Sequence, residues 1–256
     1  MLRTLCRVAA RTPGRRFGPC LAVLSLALVF AGCDAGRRVL PPLPQPTAEP
    51  IEGPPLVSSS PAQAAVLPAT AVGRVPLSLD EVNRLAGKGL YKSGDAPLSA
   101  PADAKGTAQP QECLPVLSAL RTKAVSGTAF SAFQFVVFPA ADASGGVFEQ
   151  AAAVYPDVAP AKTVFQKVAD ALGSCDGKSV DERQDEASQP ITYDIRSEES
   201  EDGALRWTEQ QQGQAGGACV FEVRRIKNLV FEVVECGDEA GDLAAKAAAM
   251  LASRAV

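Results

Sequence analysis

The clearest periodicity in the chain lies at Val158, Ala161, Phe165, Val168 and Leu172, which recur at three and four residues and predict a helix ending at Gly173. Ahead of it, FSAFQFVVF (130–138) and VFEQAAAVY (147–155) flank a Gly-containing turn and predict a hairpin. Further upstream, Ser78-Leu79-Asp80-Glu81 is a capping box that starts a short helix ending near Gly87, followed by a polar loop. Pro115, just after Cys113, suits the first turn of a helix running to Leu120.

Downstream, a charged loop is expected over 176–190, then strands at 191–197 and 204–210. Two more strands, CVFEVRRI and LVFEVVEC, meet at Lys227-Asn228. Pairing Ile226 with Leu229 sets Cys219 opposite Cys236. Apolar alternation prefers Val223 against Phe231 and Phe221 against Val233, one residue out of step, and a bulge near Val234-Glu235 would reconcile the two registers. An Ala-rich helix is expected from about Glu239 to Arg254, with acids in its first turn and Arg254 in its last, as the helix dipole prefers. Helices at both ends with strands between them make an α+β domain.

The N-terminus follows different rules. Arg3, Arg7, Arg11, Arg15 and Arg16 precede the apolar stretch LAVLSLALVFA (21–31), the layout of an export signal and too short for a permanent membrane span. The ending Phe30-Ala31-Gly32-Cys33 resembles the lipobox of bacterial lipoproteins, with Phe30 where an aliphatic residue is usual. That resemblance implies cleavage before Cys33, its acylation (palmitate), and a protein held on the outer face of the cell membrane. Ten of the 20 prolines then fall between Pro41 and Pro76 among Ala, Ser and Thr, so 33–76 is expected to be a linker. At about 3.1 Å per residue, the Pro-rich part of such a tether reaches roughly 100 Å. The expected division is therefore signal peptide 1–32, lipidated linker 33–76 and folded domain 77–256.

Without the five signal arginines the 25 basic residues fall to 20 against 29 acidic ones, a formal charge of about −9. This argues against nucleic acid and against electrostatic docking on anionic lipid, so membrane contact has to run through Cys33. Of seven cysteines, Cys6 and Cys20 are expected to leave with the signal and Cys33 to carry lipid. Cys113, Cys175, Cys219 and Cys236 remain, an even number suited to two disulfides in three possible connectivities.

LSLDEVNRLAG, the lone Cys113, the VFEQAAAVYPDVAPAKTVFQKVADALGSC stretch and ACVFEVRRIKNLVFEVVECGDEAGDLAAKAAAML together resemble the PknH-like extracellular domain. That family occurs as the sensor of an actinobacterial transmembrane kinase and as stand-alone lipoproteins. The resemblance covers 77–256 and rests most on the four-cysteine order with Asn228 between the last two. It implies an antiparallel sheet flanked by helices, a cleft for an unidentified ligand, and pairing of Cys113 with Cys175 and of Cys219 with Cys236. Kinase signalling does not carry over, because the chain has no catalytic domain.

Zero histidines remove Ser-His-Asp and Cys-His catalysis and HExxH zinc sites. The cysteines lack the C-x2-C spacing of a zinc cluster, and there is no Gly-rich phosphate loop, so no metal or cofactor is expected. The acid pairs Asp181-Glu182, Asp185-Glu186 and Glu198-Glu199 are the material for a carboxylate hydrolase, though they stand in the most polar stretches. Trp207, Phe133 and Phe135 are the expected lining of an apolar ligand cleft, with core packing as the competing role. The expected function is non-catalytic binding of a small envelope molecule. Its rivals are an envelope hydrolase using carboxylates or Ser with Lys, and an adaptor for another envelope protein.

Overall fold

Among the described residues, eight strands hydrogen-bond into one antiparallel sheet in the order β1-β4-β5-β6-β7-β8-β3-β2. In chain order they are β1 Thr107–Gln109, β2 Ala132–Pro139, β3 Val147–Val154, β4 Ser179–Arg183, β5 Ile191–Glu198, β6 Leu205–Gln211, β7 Ala218–Ile226 and β8 Leu229–Gly237. The helices are α1 Leu79–Leu85, α2 Leu114–Ser118, α3 Lys123–Ser126, α4 Val158–Cys175 and α5 Asp242–Arg254. This computed structural model describes residues 66–256 except 88–89, 104–105, 143–145, 184–187, 201–202, 214–216 and 238–239. The expected signal, Cys33, most of the linker and Asp185-Glu186 lie outside the described residues.

Helices cover both faces of the sheet. On one face α2, α3 and α4 pack over Phe133, Ala151, Ile195, Trp207, Phe221, Val230 and Val234. On the other, α5 and the short 3-10 turn Ala69–Gly73 pack over Phe148, Val154, Val220, Phe231 and Val233. Two covered faces explain the register of the last hairpin. It pairs Ile226 with Leu229 and Cys219 with Cys236 without interruption, setting Val223 against Glu232 and Phe221 against Val234. The expected bulge at 234–235 is absent because alternation is no guide when both faces are apolar. Phe231 and Val233 enter the second core, and Glu232 is left facing the first.

Several other expectations need correction. Gly173 does not stop α4, which runs on to Cys175; Gly177, at φ +73°, supplies the left-handed turn beyond it. The charged loop contains β4, and the polar loop contains β1, which pairs with it through Ala108 and Glu182. Both are polar strands near one sheet edge, where only one position, Ala108 or Val180, is fully covered. The folded body also begins upstream of residue 77. Ala71 and Val75 are buried, and Leu67 exchanges two hydrogen bonds with the side chain of buried Asn228, at 2.7 and 3.0 Å. Buried Gln150 holds Leu77 in the same two-bond manner.

Both disulfides implied by the resemblance are present. Cys113 bonds Cys175, tying the start of α2 to the end of α4, and Cys219 bonds Cys236 directly across β7 and β8.

Candidate functional site

Trp207 does not line an open cleft. It is fully buried on a central strand, stacked on Phe221 at 4.9 Å beneath the helical layer. Phe133 is likewise buried and packs against Phe130, while Phe135 is half-buried, bonded through its backbone to Leu98. The physical reason is position: with helices on both faces, Trp207 of β6 and Phe133 of β2 are covered completely and Phe135 in large part.

The opening lies higher, within the helical layer. A groove of about 800 Å³ separates α4 from the segment that carries α2 and α3. Its floor is apolar, formed by Leu114, Pro115, Val125 and Ala171, and Thr163, Gln166 and Asp170 of α4 stand on its rim. Lys167 donates from α4 to the carbonyl of Ala124 across this space. The Cys113–Cys175 bond lies at one end of the two helices that bound it. The volume is within the usual range for small-molecule sites, which are mostly apolar with a few polar groups. A smaller cavity of about 460 Å³, lined in part by Leu90, Tyr91, Glu235 and Lys246, lies at the α5 side.

Beneath the segment 114–126 sits an unusual set of charges. The 3-10 turn Ala119–Arg121 delivers Arg121 over the ring of Phe221, 5.9 Å from its centroid. Its guanidinium pairs with Glu149 at 3.2 Å and donates to the carbonyl of Leu117 at 2.7 Å. Glu232, 1% exposed, accepts the Leu120 N–H at 2.9 Å through Oε2, while its Oε1 has no partner. Arg121 Nε is also unpartnered, although the side chain as a whole is 32% exposed. Glu209 is buried and accepts from Trp207 Nε1 at 3.3 Å. Burial pushes the Glu232 carboxyl up to about 7 against the pull of Arg121 and the Leu120 N–H, and raises Glu209 well above the carboxylate range. Half-buried Glu182 is raised for the same reason. For Arg121 burial acts the other way, but Glu149, Glu232, Glu209 and Glu182 outweigh it and hold the guanidinium charged.

Buried charge on the opposite face is fully matched. Glu222 pairs with Arg224 at 2.6 Å and lies 3.8 Å from Arg206, and Glu235 accepts from the backbone of Gly241 and Ala244 at the start of α5. These are structural clamps; the Arg121 cluster is not, since it holds four acids to one base and leaves buried polar atoms unsatisfied. Of the acid pairs noted in the sequence, Glu182 joins this cluster, whereas Asp181 bonds Thr192 and Glu198 pairs with Arg206. Glu209 and Glu232 are not among the sequence-predicted site residues, because an acid within a strand reads as a solvent-facing position until both covered faces are known. The available signal was an acid within LVFEVV, a run too apolar for a strand with a solvent face.

Among the described residues no group of three or more Cys, Asp or Glu is arranged to hold a metal ion, and no helix is long and apolar enough to cross a membrane.

A comparison with curated proteins gives no match. Among solved structures, the extracellular domain of PknH from Mycobacterium tuberculosis is similar, with 20% identity, a TM-score of 0.67, and coverage of 75% of this chain and 97% of that one. That likeness establishes the fold. The model of the PknH-like extracellular domain matches residues 67–254, beginning at the Leu67 that Asn228 clamps to the sheet. With most of its length matched, the chain belongs to the PknH-like extracellular domain family, and its folded part is an extracytoplasmic domain.

Proposed function

We propose that the protein is an envelope lipoprotein, anchored by acylated Cys33, whose sensor-like domain binds a small, partly apolar envelope molecule in the groove between α4 and the α2–α3 segment without turning it over. The groove carries this reading: about 800 Å³ of mostly apolar space, too large to be a packing defect, bounded by a disulfide-tied frame. Zero histidines and the absence of a nucleophile motif in the sequence support binding over catalysis. The raised carboxyls of Glu209 and Glu232 favour a second reading, an acid-base hydrolase. It is the weaker one, because both side chains are enclosed beneath 114–126 and do not line the groove.

Two experiments test the proposal, one for the groove and one for the anchor. Thr163→Trp on the exposed rim of α4 fills the groove while leaving the core untouched. An envelope small-molecule extract should raise the melting temperature of the wild type by mass action and leave the variant unmoved. An equal shift in both would place the site elsewhere. Cys33→Ala should move the protein from the membrane fraction to the soluble one; a variant that stays membrane-bound contradicts the anchor.

A further inference from the structure

Four carboxylates on four different strands converge on one guanidinium. Glu149 of β3, Glu182 of β4, Glu209 of β6 and Glu232 of β8 all act on Arg121. Tyr193 of β5 faces Glu182, Glu209 and Arg121 and is the other titratable group acting on the set. Among the described residues the remaining neighbours bring no compensating base: β7 presents Phe221 and Val223, β1 presents Ala108, and Lys162 and Lys167 of α4 are exposed. Lys123 of α3 pairs outward with Asp103, and Arg225 of β7 bonds the carbonyl of Lys227. Fully ionised, the set carries three more negative charges than positive ones in a site largely closed to water.

The part of the chain resting on this cluster is held in tension. Ala119 has φ +30° and ψ −123°, a region that a residue with a Cβ occupies only when its surroundings enforce it. The enforcing contacts are adjacent: Glu232 holds the Leu120 N–H, and Arg121 holds the carbonyl of Leu117 and the carboxylate of Glu149. The same segment carries Leu114, Pro115, Ala124 and Val125, one wall of the groove.

We propose that Glu232, backed by Glu209, is a proton-operated latch that keeps the 114–126 segment seated on the sheet in acid and releases it as the carboxylates ionise. With Glu232 neutral, Oε2 still accepts the Leu120 N–H, and the proton on Oε1, although it too finds no acceptor, removes the charge that burial penalises most. When that proton leaves to solvent, a buried negative charge faces Glu149 and Glu209 with no partner for Oε1. Water must then enter, and the strained Ala119–Arg121 turn is what lifts to admit it. The groove wall loosens with it. Only this consequence for the groove rests on the binding reading; the latch itself is tested without any ligand.

Amide hydrogen exchange, corrected for intrinsic rates, should show the 114–126 segment about tenfold or more better protected at about pH 5.5 than at about pH 8. In Glu232→Gln, where the amide oxygen still accepts from Leu120 and no charge can form at this position, the pH dependence should fall to the small remainder that Glu209 contributes. Equal wild-type protection at the two pH values, or a variant with undiminished pH dependence, overturns the latch. Carbon-13 NMR titration of the Glu232 carboxyl in the wild type is the second measurement and does not depend on the variant folding. A midpoint near 7 is expected, and one in the ordinary carboxylate range overturns the proposal.

Discussion

Replacing Arg121 with Leu should destabilise the domain by about 3–5 kcal/mol near pH 8, because it strips the guanidinium from a cluster of carboxylates of which Glu209 and Glu232 are buried. The loss should shrink near pH 5. Glu232 binds its proton more tightly folded than unfolded, so its favourable contribution is fully present below the ordinary carboxylate value and disappears as pH rises to about 7. Above that window Glu232 is charged in both states, and Arg121 is the countercharge in the molecules whose 114–126 segment is still seated. Glu81 runs the other way: the Ser78 backbone N–H and Arg254 hold its carboxyl low, so its contribution is lost as pH falls through the carboxylate range. Thermal unfolding of the wild type should therefore peak in mildly acidic buffer. Adding Glu232→Gln to Arg121→Leu should recover part of the loss at pH 8, since the two side chains share one electrostatic site. Strictly additive effects, or a loss that does not change with pH, would show that the cluster is ordinary packing.

The second large effect belongs to the Cys113–Cys175 disulfide. Its sequence separation is 62 residues, for which the chain-entropy relation assigns about 4 kcal/mol; the 17-residue separation of Cys219–Cys236 is worth about 3 kcal/mol. Changing Cys113 and Cys175 together to Ser should lower the denaturant midpoint more than the matching change at Cys219 and Cys236. It should also open the groove selectively, because Cys113 precedes α2 and Cys175 ends α4, the two helices that frame it. The shorter bridge links strands already paired over nine residues and leaves that frame untouched. A larger loss from the β7–β8 bridge would reverse this ranking.

What was legible in the chain, and what was not, follows from how many faces each element covers. α4 was plain because only one stripe of it is buried, so its period survives in the sequence. The last hairpin was readable from its turn and its cysteines, but not from alternation, because all seven residues from Leu229 to Glu235 are buried. That same double burial hid the Arg121 cluster: an acid in a two-sided strand looks like a solvent-facing position until the second helical layer is known. β1, the edge strand, and β4 beside it are hidden in polar stretches, because each has only one fully covered position and so needs few apolar residues. Trp207 misled for a related reason. An isolated aromatic among polar neighbours suggests a binding surface, yet the Glu209 beside it is itself buried and bonded to its indole.

Native mass spectrometry of the protein purified from envelope under gentle conditions bears most directly on the binding claim. The wild type should carry an added mass from a small, partly apolar molecule, which collisional activation removes intact and which Thr163→Trp does not retain. A wild type that carries nothing, and that releases a cleaved product when incubated with envelope extract, would contradict it.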